Sequence, residues 1–421
     1  MVNSRNMKMT PVGLIPEDWE VIQLADYIVD INDGPFGSNL KSEHYTLDRE
    51  VRIIQLGNVG DDGWNNENIK YTTFEHASTL KRCIVPYGTI IIAKMMPAGR
   101  AIICPSTEPA YIQGSDVIKV VFTDSINKDF FIYLTKSKSY LEQIESGVQG
   151  STRARTNIGK IKSLKLPLPS VEEQKRIAGA LLSVDKMIRA LDEAIAKKRQ
   201  IKEGLMQQLL TGKTSLPGFC GEWLPKNLGK SALIKARIGW QGLTTKEYLD
   251  SGVYYLITGT DFKDGRIDWK NCHYVTRDRF EQDPYIKIQK HDVLVSKDGT
   301  IGKVAYLDDI PGPGTLNSGV FVIRSKDKQI SQRYLAKVFV SKYFDDFIDS
   351  IVAGSTIVHL YQKDIVKFDF MVPPSIEEQE QVCDFLEGVD NEIICLESKR
   401  DKYASLKQGM MQGLLTGKTR L

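Results

Sequence analysis

The feature that most constrains this chain is that it repeats itself. Pro169-Ser170-Val171-Glu172-Glu173-Gln174 recurs as Pro374-Ser375-Ile376-Glu377-Glu378-Gln379, and Leu209-Leu210-Thr211-Gly212-Lys213-Thr214 recurs as Leu414-Leu415-Thr416-Gly417-Lys418-Thr419. Both pairs share an offset of about 205, so the segments between them align without a gap, and roughly 21 of about 47 positions are identical. Shared helical composition does not give that much identity; the chain is a tandem duplication.

Each repeated segment has the marks of a helix. Ser170 and Ser375 follow a proline and precede Glu173 and Glu378 by three residues, the capping-box spacing. Gly212 and Gly417 stand where a left-handed C′ residue closes a helix. About 40 residues lie between cap and glycine, or roughly 60 Å at 1.5 Å per residue.

Inside, apolar residues step by four and three: Ile177, Leu181, Val184, Ile188, Leu191 and Ile195, then Leu205 and Leu209. Their counterparts are Val382, Leu386, Val389, Ile393 and Leu396, then Met410 and Leu414. The spacing predicts a coiled-coil seam in place of the wider stripe of a helix lying on a sheet. Lys198 and Lys202 interrupt it in the first copy, and Arg400, Tyr403 and Lys407 in the second, either to fix register or to snorkel.

Charge and connection predict how the helices pair. Residues 171–214 carry roughly +3 and residues 376–419 roughly −4, which favours pairing with each other over self-pairing. The segment joining them, about 160 residues from Ser215 to Val372, is domain-sized, and a compact domain usually has its ends close together. The pair should therefore be antiparallel.

The stretch before each helix reads as mixed α/β. In the first, Val51–Leu56, Thr89–Ile92 and Asp116–Val121 read as strands and Asp129–Leu134 opens a helix; in the second, Val253–Ile257, Asp292–Val295 and Val320–Ile323 read as strands, followed by a helix around Tyr334 to Phe347. The order of elements is shared while the residues have diverged. The expected architecture is an α/β (α+β) chain with a pseudo-two-fold internal repeat: globular domains at 1–168 and 215–373, and long helices at 169–214 and 374–421 forming an antiparallel two-helix coiled coil that separates them.

Composition excludes some classes and leaves others open. With 56 Lys+Arg against 53 Asp+Glu, the net charge of +3 argues neither for nor against nucleic acid. Met1-Val2-Asn3-Ser4-Arg5-Asn6 has no signal-peptide core, and the most apolar run, Ile90-Ile91-Ile92-Ala93, is far below the ~20 residues that span a bilayer, so a soluble, cytoplasmic protein without membrane association is expected. The six cysteines show no Cys-x-x-Cys or paired Cys/His spacing, which predicts reduced thiols and no metal site. Thr211-Gly212-Lys213-Thr214 imitates the end of a P-loop, but Gln207 stands where the motif needs its first glycine, and the segment ends a helix instead of starting one. No methyltransferase, nuclease or dinucleotide motif is present, and the five histidines stand apart.

Asp33-Gly34-Pro35-Phe36-Gly37-Ser38, the Pro-Ser-x-Glu-Glu-Gln helix entries and the Leu-Leu-Thr-Gly-Lys helix exits, in two-fold tandem, resemble the specificity subunit of type I restriction-modification enzymes over essentially the entire chain. The resemblance implies that each globular unit is a target recognition domain reading one half of a split site in double-stranded DNA. It further implies that the coiled coil docks two methyltransferase subunits, and that restriction subunits join through that assembly. The chain itself would be non-catalytic and bind no cofactor, with S-adenosylmethionine, ATP and Mg used by the partner subunits. The chemistry-free alternative is a coiled-coil assembly scaffold without DNA selectivity.

Candidate DNA contacts in the first domain begin with the run Arg153, Arg155, Lys160, Lys162 and Lys165, which has no intervening acid and adjoins Gly150-Ser151-Thr152. Small hydroxyls and arginines suit phosphate positioning or bidentate reading of guanine, and the same run also suits a solvated approach to the helix. The loop carrying Gly34, Phe36, Ser38 and Lys41 adds backbone donors, an aromatic and a cation, and Lys94, Arg100 and Gln113 flank strands. In the second domain the candidates are Trp240, Gln241, Lys297, Thr300, Lys303, Asn317, Ser355, Thr356, His359 and Tyr361. The neighbourhood of Gly354 is nearly neutral, a departure from the basic run of the first copy. With the first domain about neutral and the second about +3, neither has the field of an independent non-specific DNA binder.

Overall fold

The computed structural model describes residues 6–146, 155–239, 242–352 and 359–421. The chain divides into two compact units, Met1–Leu191 with Lys399–Leu421 and Asp192–Ser398. Both long helices, Val171–Leu209 and Ile376–Leu414, have 39 residues and are cut by this division, so each unit holds a globular segment, the start of one helix and the end of the other.

In the first unit, Ala101–Ile103, Ile90–Ala93, Val117–Phe122 and Ile28–Asp33 form one four-stranded sheet, antiparallel throughout. A second sheet orders Ala110–Gln113, Val51–Ile54, Tyr71–Thr72 and Tyr45–Thr46, its first two strands parallel. The second unit repeats this plan with Ala232–Lys235, Val320–Ser325, Val293–Ser296 and Val304–Tyr306 in one sheet, and His273–Val275, Tyr254–Ile257 and Gly314–Leu316 in the other, the last pair again parallel. Val51–Ile54, Ile90–Ala93 and Val293–Ser296 are buried at every position, which is why they read as largely apolar runs, with Arg52 and Ser296 the polar exceptions, and not as alternating ones. The single helix expected around Tyr334–Phe347 is two, Gln332–Phe339 and Lys342–Val352. Buried Ser341 bonds back to the Val338 carbonyl (2.6 Å), a local bond that competes with the helical ladder.

The repeated motif explains itself once its side chains are placed. Ser170 Oγ accepts from the Glu173 N–H (3.3 Å) and Ser375 Oγ from the Glu378 N–H (3.1 Å). Fully buried Gln174 receives the Asn127 N–H (2.8 Å) and donates to the carbonyls of Ser125 and Pro169 (3.0 Å each); Gln379 does the same with Ser331 N–H (2.8 Å) and the carbonyls of Gln329 and Pro373 (2.8 and 2.9 Å). Each glutamine thus locks its long helix to the N-terminus of a short one. The reciprocal half of the capping box is absent at Glu173: its carboxylate turns to the Trp19 indole N–H (3.2 Å) and to Arg420 Nη2 (2.6 Å).

The apolar stripe does two jobs, which corrects the expectation that it serves throughout as a coiled-coil seam. Ile177 and Leu181 join the core of the first unit with Trp19, Leu164, Leu166, Leu414 and Leu415, and Val382 and Leu386 join that of the second. Only farther along do helix-to-helix contacts dominate, where Ile195, Val389 and Ile393 cluster with Leu205 and Leu396. Val184 and Ile188 are half-buried and Leu191 is buried. The interrupting lysines are ion-paired: Lys198 with Glu392, Lys202 with Asp390 (2.5 Å) and, in the first unit, Lys407 with Asp185 (2.6 Å). In the second unit the partner numbers fall as the lysine numbers rise, the order of antiparallel neighbours. Lys202–Asp390 and Lys407–Asp185 are the same pair in the two copies. Asp185 also accepts from Tyr133 (2.6 Å), and burial together with that bond pushes the Tyr133 phenol well above its usual range.

Gly212 and Gly417 end the helices at φ +77° and +68°, as expected of C′ residues. A Cβ at Gly212 would lie 3.3 Å from the Trp223 ring, and one at Gly417 would lie 2.3 Å from Pro16 and 3.2 Å from Trp19. The six cysteines are free thiols, and burial pushes those of Cys104, Cys272 and Cys383 up to about 12. Among the described residues no helix is long and apolar enough to cross a membrane.

Candidate nucleic-acid interface

In the first unit the polar loops meet at the ends of strands. Strand Ile28–Asp33 runs into Gly34, strand Ala110–Gln113 into Gly114, and the hairpin of Ile90–Ala93 with Ala101–Ile103 carries the loop from Lys94 to Arg100. The chain returns past them at Thr156, whose N–H donates to the Lys94 carbonyl (2.8 Å). These segments surround a cleft of about 720 Å³ whose lining includes Phe36, Lys81, Arg82, Lys94, Ser115 and Arg155. Four cations face one concavity, while Phe36 stands on its rim with 84% of its surface exposed.

Two of these cations are held by acids, and Arg82 donates to the Asn32 amide oxygen (3.0 Å). Lys94 Nζ lies 2.8 Å from Asp33 Oδ1 and donates to the Ser115 carbonyl (2.9 Å), and Arg155 Nη2 lies 2.9 Å from Asp116 Oδ1. Such pairing pre-orients the groups and lowers the local field, so a phosphate or base edge must compete with a carboxylate. Ser38 and Lys41 are exposed on the Gly34 loop, Lys41 beside Glu43 (3.6 Å).

Two sequence candidates fall elsewhere. Gln113 is fully buried; its amide donates to the carbonyls of Asn32 (3.0 Å) and Val117 (3.2 Å), so it ties strands together and presents nothing to DNA. Arg100 is drawn to Asp61 (3.1 Å) and does not line the cleft. Conversely, the sequence reading missed Lys81 and Arg82. Their adjacency was a signal, but only the fold brings them beside Gly34.

The second unit offers the matching loops with other chemistry. Lys297 N–H donates to the Gly319 carbonyl (2.9 Å), its ammonium sits 5.2 Å from the Phe321 ring centroid, and Thr300 and Lys303 are exposed on the same hairpin loop. Asn317 donates to the Tyr248 hydroxyl (2.7 Å) and braces the neighbouring turn through the Ser318 N–H (2.6 Å). His359 pairs with Asp298 and packs against exposed Tyr361, ring centroids 4.4 Å apart. Ser151, Thr152, Arg153, Trp240, Gln241, Ser355 and Thr356 lie outside the described residues.

A family model for the type I restriction modification DNA specificity domain matches residues 16–203 and again 241–406. The chain belongs to that family. The type I specificity subunit MjaVIII of Methanocaldococcus jannaschii is 24% identical over 433 residues, covering 97% of this chain and 94% of the relative. The EcoBI specificity subunit of Escherichia coli is 24% identical over 310 residues, 66% of this chain and 61% of that one. Among solved structures, the specificity subunit from M. genitalium has a TM-score of 0.55 at 14% identity, covering 98% of this chain and 97% of its own. A chain from a type I restriction-modification assembly reaches 0.63 at 16% identity, covering 96% and 99%. As a type I specificity subunit, the protein confers DNA sequence specificity on a restriction-modification system and is not itself an enzyme. The duplication found in its sequence is a duplication of the specificity domain.

Proposed function

We propose that the protein reads a bipartite DNA target, one globular domain per half-site, with the two domains held apart by an antiparallel coiled coil of the long helices. The observation that carries this reading is how identity is distributed between the copies. Among the residues kept identical are those that lock the helices: Gln174 and Gln379, the Asp185–Lys407 and Asp390–Lys202 pairs, and Gly212 and Gly417. The loops around the cleft differ, with Arg155 and Asp116 in one copy and His359 and Asp298 in the other. A common frame with two unlike reading surfaces is what a split target requires.

In this account the first half-site is contacted by Gly34, Phe36, Ser38, Lys41, Lys94, Arg155 and the Ser151–Arg153 segment. The second is contacted by Lys297, Thr300, Lys303, His359, Tyr361 and the segments around Trp240 and Ser355. Two methyltransferase subunits dock on the helices and use S-adenosylmethionine to modify an adenine in each half-site. Extrusion of that adenine from the stack lets recognition and chemistry reside on different chains. Restriction subunits, using ATP and Mg, join through the assembled methyltransferase. The near-neutral charge of each domain makes the partners necessary for tight binding.

Reconstitution with the methyltransferase subunits followed by selection from a randomised duplex library tests this. Two short specified blocks separated by an unspecified spacer are expected. Recovery of DNA without any preferred sequence would instead favour a protein-assembly scaffold.

A further inference from the structure

The two domains present different side chains from one structural position. In the first unit the Thr156 N–H donates to the carbonyl of Lys94 (2.8 Å), which sets Arg155 beside the hairpin loop. In the second the Leu360 N–H donates to the carbonyl of Lys297 (2.9 Å), which sets His359 in the same place. The hairpins correspond in detail: Gly99 (φ +84°) and Gly302 (φ +78°) occupy equivalent turns, and a Cβ at either would meet an isoleucine, Ile144 at 2.8 Å or Ile348 at 3.3 Å. The equivalence therefore comes from backbone pairing and packing, and the side chains on it differ. Each is tethered by an acid, Arg155 by Asp116 and His359 by Asp298.

Arginine keeps its charge at every physiological pH, whereas histidine changes charge near neutrality. Asp298 engages Nδ1 of His359, which leaves Nε2 as the second edge of the ring, and no described residue bonds it. When the ring is protonated that edge donates a hydrogen bond; when neutral, with Nδ1–H held by Asp298, it can only accept. Tyr361 packs against the ring, with Lys363 placed 5.2 Å from the Tyr361 ring centroid, while the Lys297 ammonium lies over the Phe321 ring.

We propose that positions 155 and 359 are equivalent specificity determinants, and that the second half-site is read by protonated His359 donating to a base-edge acceptor such as guanine N7 or O6. Discrimination at that half-site alone then weakens as the pH rises. This rests on the DNA-reading function proposed above.

The test uses the complex with methyltransferase subunits and duplexes bearing the selected target, or the target with one half-site substituted, at constant ionic strength from pH 6 to pH 8. Discrimination at the second half-site should fall about tenfold, the scale of one charge-assisted hydrogen bond, while the first stays within about twofold. His359→Asn should abolish the slope. Equal slopes in both half-sites, or a slope that survives His359→Asn, overturns the inference. Equal weakening on cognate and substituted half-sites also overturns it, by assigning His359 to a phosphate. A split target with a flat second half-site sinks only this inference; failure to select any split target sinks the DNA-reading function with it.

Discussion

Trp19→Ala should destabilise the first unit by about 4 kcal/mol, within the range for a large aromatic removed from a core. The indole is fully buried beside Ile177, Leu181, Leu414 and Leu415, its N–H bonds Glu173, and the Arg420 guanidinium lies 5.7 Å from its ring centroid. The substitution opens a cavity and strips a donor from a carboxylate that is 3% exposed. Trp223 holds the equivalent place in the second unit, but its N–H bonds the Ser215 hydroxyl (2.9 Å), so Trp223→Ala removes apolar contacts without disturbing a buried charge. Hydrogen exchange on the full chain separates the two effects. Trp19→Ala should release the amides around Leu414 and Leu415 while sparing those around Leu209 and Leu210, and Trp223→Ala should do the reverse by a smaller margin. Unchanged protection at Leu414 in Trp19→Ala would contradict the packing described.

Gly34→Ala should abolish discrimination at the first half-site while leaving the second intact. An added Cβ would lie 1.8 Å from the Gly114 carbonyl oxygen and 2.7 Å from its carbon. Backbone cannot yield as a side-chain tip can, so the loop from Gly34 to Phe36 must move away from the cleft. Gly114 has no slack either, since its own N–H bonds the Ile54 carbonyl (2.8 Å) and a Cβ there would sit 2.7 Å from that oxygen. The expected stability cost is about 2–3 kcal/mol, comparable to overpacking a core. Binding of the methyltransferase-bound complex to duplexes substituted in one half-site reads the result. Normal discrimination in both halves would show that this loop does not face DNA.

The helices were legible because their signals are local. Cap, 3-4 spacing and terminal glycine all lie within one segment, and the duplication stated each of them twice. Less legible was the use of the stripe, since nothing local distinguishes Ile177, which enters a globular core, from Ile195, which meets the other helix. The break at Ser341 was hidden for a similar reason: an apolar pattern suited to helix continues across it, and one hydroxyl-to-carbonyl bond decides. Sheet order was out of reach, because the parallel pairing of Val51–Ile54 with Ala110–Gln113 joins strands distant in sequence. Gln113 was misread at a strand end, where a polar residue equally suits a surface or a buried backbone clamp. Lys81 and Arg82 escaped notice because they reach the cleft only through tertiary folding. In the second domain His359 and Lys297 were both read as candidates, and only the fold shows that Asp298 pairs with His359.

The central claim, one domain per half-site, is tested most directly by exchanging residues 215–372 for the second domain of another type I specificity subunit and mapping the methylated sites. One block of the split target should change to that of the donor while the other block stays the same. A change in both blocks, or in neither, would contradict it.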